Sequence, residues 1–379
     1  MSSSPLEGVD ETFFQKLTSH YEKQLPFVAY RKPNENLVNA FLQKSNTTFY
    51  AENFTEKGFV FAPFDSNSKA LLIPEQESEI LKVDFELTLP KKENSVKKHE
   101  IPAFAGMWEH IQLVQKGIDE IKRGTLQKVV LSHQQNFPIP EENPLIIFEK
   151  LLQEYPTAFV YCWFHPQIGC WLGATPETLV QIEHNQLKTM ALAGTQKYTG
   201  NMVVSWGEKE KKEQQLVTDA IVSGLQGKVE NLKISDPKTM KAGSLLHLKT
   251  DIFGDLKNSD LKEILRDLHP TPAVCGLPKE KAKQFILENE GYDREFYTGF
   301  LGELNMTTKK DRSSNRRNQE NKAYSIVKKQ TNLFVNLRCM KFEKGKAQLF
   351  LGGGIVKDSD PESEWEETVN KAQTMLKVL

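Results

Sequence analysis

Residues 333–351, LFVNLRCMKFEKGKAQLFL, contain the pattern that decides the class of fold. Two largely apolar runs, 333–342 and 347–351, flank the polar segment EKGK at 343–346. Apolar runs of this length that are joined by a short turn containing glycine are typical of a β-hairpin. The sequence therefore predicts two antiparallel strands in this part of the chain.

Similar strand patterns recur upstream of this hairpin. Residues 179–192 predict two strands around a polar turn at 184–186, and 158–164 and 169–172 each predict a strand. The run GFVFAPF at 58–64 predicts a buried strand. Several neighbouring strands are joined by tight turns, and strands do not alternate strictly with helices. The pattern therefore favours an α+β fold with antiparallel sheets over a doubly wound parallel one.

The composition is that of a globular chain with almost balanced charge. A chain of 379 residues can bury a substantial core as one large domain or two smaller ones. It has 49 Lys and Arg against 50 Asp and Glu. This balance gives no reason to expect nucleic acid or an acidic membrane as a partner. Any anionic ligand must therefore be bound by a local arrangement of cations.

The N-terminal segment and the cysteines indicate the compartment. The segment MSSSPLEGVDETFF has no basic region followed by an apolar run, so it predicts no signal peptide. No stretch approaches the roughly 20 apolar residues that cross a bilayer. Cys162, Cys170, Cys275 and Cys339 form no CxxC pair, so neither a zinc site nor a disulfide framework is indicated. We expect a cytoplasmic monomer.

Two polar segments interrupt the strand patterns. The segment PKKENSVKKHE at 90–100 predicts a linker or an exposed loop. The segment 306–330 is rich in Lys and Arg, which is compatible with a nucleic-acid patch or with a solvated loop between strands. Acidic residues dilute its charge, and Tyr324 is its only aromatic residue, so the solvated loop is favoured.

A helix predicted over residues 208–225 carries a pair of glutamates. Glu210 and Glu213 are three positions apart and share a face with small and apolar residues. Two acids on one face repel each other unless a cation lies between them. Taken alone, however, the pair is better explained as a solvated acidic turn that the helix dipole stabilises.

A second predicted helix repeats this arrangement. Asp360 is a suitable N-cap, and Pro361 suits the first helical position. Glu364, Glu367 and Lys371 then share one face. Mg²⁺ prefers carboxylate oxygens and typically takes one or two carboxylates together with oxygens of a substrate. Two such helices could form a magnesium site, although a polar first turn explains each helix alone.

A series of short motifs follows Phe104 in a defined order. They lie at 127–132, 171–177, 191–195, 213–217, 268–274, 293–297, 336–338, 352–356, 358–362 and 364–368. In this order, over about 240 residues, they resemble the motifs of the chorismate-utilising enzymes. That family includes isochorismate, salicylate, anthranilate and aminodeoxychorismate synthases.

The resemblance implies a fold and a division of the chain. It implies a single compact α+β domain, with two packed antiparallel sheets, helices outside them and an active site in a cleft. Residues 1–103 would be an N-terminal part that contributes strands and helices to this fold. Residues 104–379 would be the chorismate-binding catalytic region.

The resemblance also implies a magnesium site on the two glutamate pairs. Glu213 and Glu367 would be the main ligands, and Glu210 and Glu364 would assist directly or through water. Chorismate is a dianion with two carboxylates and a ring hydroxyl, so the metal could hold one of the carboxylates.

Further residues match substrate-binding positions of the family. Arg338 and Lys371 are cations suited to carboxylates. The pattern places Arg338 inside an apolar strand, where a surface role is hard to explain, whereas Lys371 could simply pair with Glu367. Glycines allow close approach of the backbone to a ligand, although they could equally serve turns. The remaining implied substrate-binding residues are Gly194, Thr195, Ala273 and Gly352.

Lys128 and Glu177 match the general base and the general acid of the family. Forming isochorismate requires a base for the incoming water and an acid for the departing hydroxyl. A basic lysine needs surroundings that disfavour its charged form, and an acidic glutamate needs burial that retains its proton. Lys128 would share a strand face with Val130 and Ser132. The alternatives are an exposed lysine on an edge strand and an acid that begins a turn.

Two positions narrow the choice of reaction. Relatives that use water carry lysine at position 128, whereas those of the anthranilate synthase type commonly carry glutamine there. Ala193 differs from the lysine of aminodeoxychorismate synthases. The resemblance therefore implies a magnesium-dependent isochorismate synthase. A salicylate synthase and a non-catalytic anion-binding relative stay open, as do menaquinone and siderophore pathways for the product.

The sequence also departs from the family pattern. His133 replaces an arginine that usually follows the Leu-Ser pair, and Gln214 replaces a histidine that usually follows the magnesium glutamate. Neither change removes a proposed catalytic group. We therefore expect them to affect local geometry and rate, and not the class of reaction.

Overall fold

Two antiparallel β-sheets form the centre of the molecule. A computed structural model describes residues 11–87, 104–243, 245–257, 260–310 and 326–379. The strands of sheet A are β1 (Phe27–Arg31), β2 (Leu37–Gln43), β6 (Ser78–Asp84), β7 (Lys128–Pro138), β8 (Phe159–His165), β9 (Gly169–Thr175), β15 (Gly276–Leu277), β18 (Cys339–Glu343) and β19 (Lys346–Ile355). Their spatial order is β15-β7-β19-β18-β9-β8-β1-β2-β6.

Sheet B lies against sheet A and has a similar extent. Its strands are β3 (Phe49–Ala51), β4 (Gly58–Ala62), β5 (Ala70–Pro74), β10 (Thr178–Glu183), β11 (Gln186–Lys197), β12 (Val229–Ile234), β13 (Lys238–Ala242), β14 (Leu245–Leu256), β16 (Phe300–Lys310) and β17 (Ile326–Val335). Their order is β12-β14-β11-β10-β17-β16-β4-β5-β3, and β13 also pairs with β14.

Helices cover the outer faces of both sheets. They are α1 (Glu11–Glu22), α2 (Met107–Lys122), α3 (Pro144–Glu154), α4 (Glu208–Leu225), α5 (Leu261–Leu268), α6 (Lys279–Asn289) and α7 (Pro361–Leu376). Helices α1, α3 and α7 pack on sheet A, α4 and α5 pack on sheet B, and α2 and α6 pack beside β7. None of the helices in the described ranges is both long and apolar enough to cross a membrane.

A layer of aromatic side chains holds the two sheets together. The ring of Phe61 on sheet B lies 5.0 Å from that of Trp163 on sheet A, and Phe159 stacks on Phe334 at 4.2 Å. Each such pair contributes roughly 0.5–1.5 kcal/mol beyond the burial of its area. Strand β8 is buried along its whole length because helices cover one face and this layer covers the other. This explains its nearly continuous apolar sequence.

The hairpin predicted at 333–351 is present, but its first arm belongs to two sheets. Strand β17 ends at Val335 in sheet B, residues 336–338 cross over, and β18 begins at Cys339 in sheet A. The hairpin itself is β18–β19, with Met340 opposite Leu349. The prediction that Arg338 lies inside a strand is therefore wrong. An apolar run continues through the crossing because strands of both sheets are buried.

A second crossing lies beside the first. Strand β9 of sheet A ends at Thr175, and β10 of sheet B begins at Thr178. The Thr175 hydroxyl donates to the carbonyl of Val335 at 2.7 Å, and the Val335 N–H donates to the carbonyl of Glu177 at 3.0 Å. The two crossings are thus joined, and together they form one end of a cleft between the sheets.

The predicted α+β class with antiparallel sheets is confirmed. The turn predicted at 184–186 does join two strands, β10 and β11. The segment 306–330 is not a loop throughout, because Lys310 pairs with Ile326 at the far ends of β16 and β17. Residues 311–325, the predicted linker at 90–100 and the division between 103 and 104 lie outside the described residues or at their edge.

Candidate active site

A cleft at the junction of the two sheets collects the residues that the sequence singled out. Its walls come from the two crossings, from β11, β14 and β19, and from helices α4 and α7. The predicted residues that line it are Glu177, Gly194, Thr195, Glu210, Glu213, Ala273, Arg338, Gly352, Glu364, Glu367 and Lys371. Lys128 lies directly behind this lining, against Glu213.

Glu177 is a buried acid in the crossing from β9 to β10. Its side chain is only 3% exposed. Burial raises the pKa of Glu177 to about 8, although the Lys128 ammonium and the Thr271 hydroxyl act in the opposite direction. A carboxyl group with such a pKa retains its proton at neutral pH. It can therefore donate that proton to a leaving group in the cleft.

Lys128 is the first residue of β7 and is almost fully buried, at 1% exposure. Its ammonium donates to a carboxylate oxygen of Glu213 at 2.8 Å. A β-carbon added to Gly354 on the adjacent strand β19 would lie 3.2 Å from the Lys128 Cε. A side chain at this position would crowd the Lys128–Glu213 pair, and the glycine leaves room for it. The alternative of an exposed edge-strand lysine is excluded.

Three of the four glutamates face the glycine run at 352–354. A β-carbon added to Gly354 would lie 2.7 Å from Oε1 of Glu213, on α4. A β-carbon added to Gly353 would lie 3.3 Å from Oε2 of Glu364, on α7, and 3.9 Å from Oε1 of Glu367. The lack of side chains thus leaves a space that carboxylates from two helices border.

Each of three carboxylates in the cleft is paired with a lysine. Glu213 accepts from Lys128. The other pairs are Glu364 with Lys209 at 3.3 Å and Glu367 with Lys371 at 2.5 Å. No three His, Cys, Asp or Glu side chains of the described ranges converge as a metal site would require.

The two acids of α7 have opposite shifts in pKa. Burial and the neighbouring Glu367 carboxylate raise the pKa of Glu364. Burial alone would also raise the pKa of Glu367, but the Lys371 ammonium, His247 and Lys209 outweigh it and lower the pKa. Glu367 is therefore an anion at neutral pH, held in place by a cation one helical turn away.

Arg338 and Lys371 supply positive charge at one end of the cleft. Arg338 adopts a left-handed backbone conformation, with φ of 48°, and its guanidinium makes a long contact of 3.5 Å with the Lys371 carbonyl. Burial lowers the pKa of Arg338, yet an arginine still keeps its charge. Lys371 also donates to the carbonyl of Gly352 at 2.8 Å. Both cations are thus positioned to meet an anionic ligand.

His247 is a cleft residue that the sequence analysis missed. It lies on β14, and its Nδ1 is 2.9 Å from the carbonyl of Gly194, so this nitrogen carries the proton. Its Nε2 is buried and has no partner among the described residues. Burial and the Arg338 and Lys371 charges lower the pKa of His247 to about 3. The cleft therefore contains a neutral imidazole whose Nε2 can only accept a hydrogen bond.

Local sequence carried little signal for this histidine. It stands in the apolar run LLHLKT at 245–250, where a single histidine is more often part of a core. Only its pairing with Thr195 across the bulged strand β11 places it at the cleft. Gly194, with φ of 70°, lies at that bulge. A β-carbon added to Gly194 would lie 3.1 Å from the β-carbon of Glu210, so the glycine leaves room for this side chain.

The two departures from the family pattern lie behind the cleft. Gln214 is buried and donates to the carbonyl of Ala191 and to the hydroxyl of Thr250, both at 3.0 Å. His133 stacks on Trp365, with ring centroids 4.7 Å apart. Both side chains thus anchor the helices that carry the acids, α4 and α7.

The fold and the cleft define the class of protein. The chain belongs to the chorismate binding enzymes, since the sequence model of that family matches residues 59–311 and 324–379.

Particular relatives within the family are similar over most of the chain. Isochorismate synthase MenF of Escherichia coli (strain K12) is 29% identical over 278 residues, which are 71% of this chain and 59% of MenF. The salicylate biosynthesis isochorismate synthase of Pseudomonas aeruginosa is 31% identical over 276 residues, 70% of this chain and 53% of that protein. The chain thus spans less than two thirds of the length of either relative.

A solved structure shares the fold. The structure of MenF, the menaquinone-specific isochorismate synthase from Escherichia coli, matches with a TM-score of 0.72 and 23% identity. The match covers 93% of this chain and 88% of that one. It extends the likeness to the residues before 59, which the family model does not reach.

Proposed function

We propose that this protein is an isochorismate synthase, an isomerase that adds water at C2 of chorismate and removes the C4 hydroxyl. The observation that carries the proposal is that the buried Lys128 and the buried Glu177 lie at the same cleft. The two groups are close enough for the Lys128 charge to act on the Glu177 carboxyl. One can accept a proton and the other can supply one, as the reaction requires.

Glu177 is suited to the role of general acid. With a pKa of about 8, raised by burial, it is mostly protonated at neutral pH. Its proton can pass to the C4 oxygen as the C–O bond breaks, which leaves a carboxylate near the Lys128 ammonium. That ammonium stabilises the charge that develops on Glu177.

Lys128 is suited to the role of general base once it has released its proton. Its ammonium is neutralised by Glu213 at 2.8 Å and is otherwise enclosed by protein. In this role its amine would accept a proton from the water that adds at C2.

The acid pairs are suited to a magnesium ion. Glu210, Glu213, Glu364 and Glu367 line one cleft and supply carboxylate oxygens, which Mg²⁺ prefers. All of them except Glu210 also border the space left by the glycine run at 352–354. When bound, Mg²⁺ would hold and polarise a carboxylate of the substrate. Glu213, Glu364 and Glu367 would first have to turn away from the lysines with which they pair.

Arg338 and Lys371 are suited to the carboxylates of chorismate. The guanidinium of Arg338 has a single long hydrogen bond among the described residues, so most of its donors are available to a ligand. An arginine can bind a carboxylate through two parallel hydrogen bonds. The names of the relatives include both menaquinone and salicylate biosynthesis, and isochorismate is the product in either case.

The test is product analysis with purified protein. Chorismate would be incubated with and without Mg²⁺, with and without ammonium, and the products separated by chromatography. The Lys128→Ala and Glu177→Ala variants would be run in parallel. Lys341→Ala would serve as a control, because Lys341 forms a partly exposed ion pair with Glu295 away from the cleft.

Each outcome has a distinct meaning. We expect isochorismate that depends on Mg²⁺, is absent with both catalytic variants and is unchanged with the control. Salicylate plus pyruvate would identify a salicylate synthase, and an aminated product would overturn the role of water. Chorismate binding by calorimetry without turnover would indicate a non-catalytic relative.

A further inference from the structure

Lys209 spans the cleft from one acid-bearing helix to the other. It lies in the first turn of α4, and its ammonium donates to Oε1 of Glu364 on α7 at 3.3 Å. The Lys209 side chain is 43% exposed, whereas that of Glu364 is 5% exposed. A buried carboxylate is therefore neutralised by a lysine that reaches in from the rim of the cleft.

Lys209 also lies in the field of the other cleft acids. Glu213 and Glu367 line the same cleft as Lys209, and their negative charges act on its ammonium together with that of Glu364. Carboxylates of both helices thus act on one ammonium group. A divalent cation bound between these helices would experience the same attraction at closely similar positions.

The other two lysines of the cleft are held more firmly. Lys128 is 1% exposed and enclosed by sheet A, and Lys371 donates to the Gly352 carbonyl in addition to Glu367. The ammonium of Lys209 has no hydrogen bond other than that to Glu364 among the described residues. Its long side chain can therefore swing into solvent at little cost.

We propose that Lys209 is a competing cation at the acid pairs, whose ammonium must leave Glu364 before a divalent metal can bind there. The inference rests on the proposed function, since it takes the acid pairs as the metal site. Lys209 then sets the metal affinity of the cleft without being a metal ligand.

The experiment measures metal binding and needs no turnover. Wild type and Lys209→Met would be titrated with MgCl₂ alone by calorimetry and with Mn²⁺ by electron paramagnetic resonance. Lys211→Met is the matched control, because Lys211 is on the same helix turn but pairs outside the cleft with the exposed Glu208. We expect Lys209→Met to bind metal about three- to tenfold more tightly and Lys211→Met to bind like wild type.

A double substitution separates direct competition from a general change of charge. In a Glu364→Gln background the partner of Lys209 is gone, so Lys209→Met is expected to change the Kd less than about twofold. An equal gain in both backgrounds, or a gain as large in Lys211→Met, would overturn the proposal. So would unchanged or weaker metal binding in Lys209→Met. If wild type binds no metal at all, the metal site itself is wrong.

Discussion

The two crossings between the sheets place an acidic and a basic side chain in the same cleft. The crossing after β9 carries Glu177, and the crossing after β17 carries Arg338, with hydrogen bonds between the two segments. Burial affects both side chains, but with different results. A carboxyl group can become neutral by keeping its proton, and the pKa of Glu177 is raised accordingly. A guanidinium keeps its charge and needs an anion or water.

This difference explains why neighbouring segments can serve different steps. Glu177 is closed off and uncharged, which suits proton transfer. Arg338 remains charged and under-bonded beside the cleft, which suits binding of a carboxylate. If proton transfer belongs to one crossing and substrate binding to the other, substitutions in the two crossings should have different effects.

The largest effect is expected from Glu177→Gln. The amide keeps the shape of the side chain but cannot donate an acidic proton, so kcat should fall by roughly 10²–10⁴-fold while chorismate still binds. Steady-state kinetics and calorimetry check this. Glu183→Gln, at the exposed far end of strand β10, which follows Glu177, should behave like wild type. A kcat within tenfold of wild type in Glu177→Gln would remove Glu177 from the acid role.

Substitution of Arg338 should mainly affect binding. Arg338→Lys keeps the charge but loses the paired donors, so we expect the Kd for chorismate to rise about 10- to 100-fold, with a smaller change in kcat. Arg266→Lys, at an exposed position of α5, is the control. If kcat fell and the Kd did not change, the two crossings would not be divided between binding and proton transfer.

The pH dependence of kcat/KM should reflect the protonation of Glu177. Because burial raises the pKa of Glu177 to about 8, the protonated form dominates below this pH and is lost above it. We expect kcat/KM to fall about tenfold per unit on the alkaline side of pH 8. This limb should be absent from the residual activity of Glu177→Gln. A flat profile of the wild type from pH 7 to 9.5 would contradict the assignment.

The smallest effect is expected where the crossings meet. Thr175→Val removes the hydroxyl that donates to Val335, which should lower the free energy of unfolding by about 1–2 kcal/mol. Thr189→Val is a matched control, since Thr189 donates a similar buried bond to the carbonyl of Leu179 at 2.6 Å, within sheet B and not between the two crossings. Denaturant unfolding should show similar losses in both variants. Only Thr175→Val should also change the KM for chorismate, by a few-fold.

Much of the architecture could be predicted from local patterns. The turn at 184–186, the α4 helix at 208–225 and the hairpin at 343–346 follow from periodicity and turn residues that act over a few positions. The split of the first hairpin arm between two sheets could not be predicted. A strand that continues into another buried strand looks the same in sequence whether or not the chain changes sheets.

The candidate site was predicted only in part, because some of its residues show no local pattern. Acids three positions apart on a helix and a lysine in an apolar strand are visible in the sequence. His247 and Lys209 were missed because their importance depends on distant partners. Lys209 and Glu364 are 155 positions apart, and no local pattern relates them.

The sequence by itself determined the class of fold and the two acid pairs, because these features depend on spacing along one element, which the geometry of helices and strands converts directly into a shared face. The proposed roles of Lys128 and Glu177 came only from the resemblance to the chorismate-utilising enzymes. Only the tertiary structure decided which lysine neutralises each acid, that Glu177 retains its proton and that His247 faces the cleft. Charge states depend on burial and on groups from several elements, and these meet only when the sheets and helices have packed.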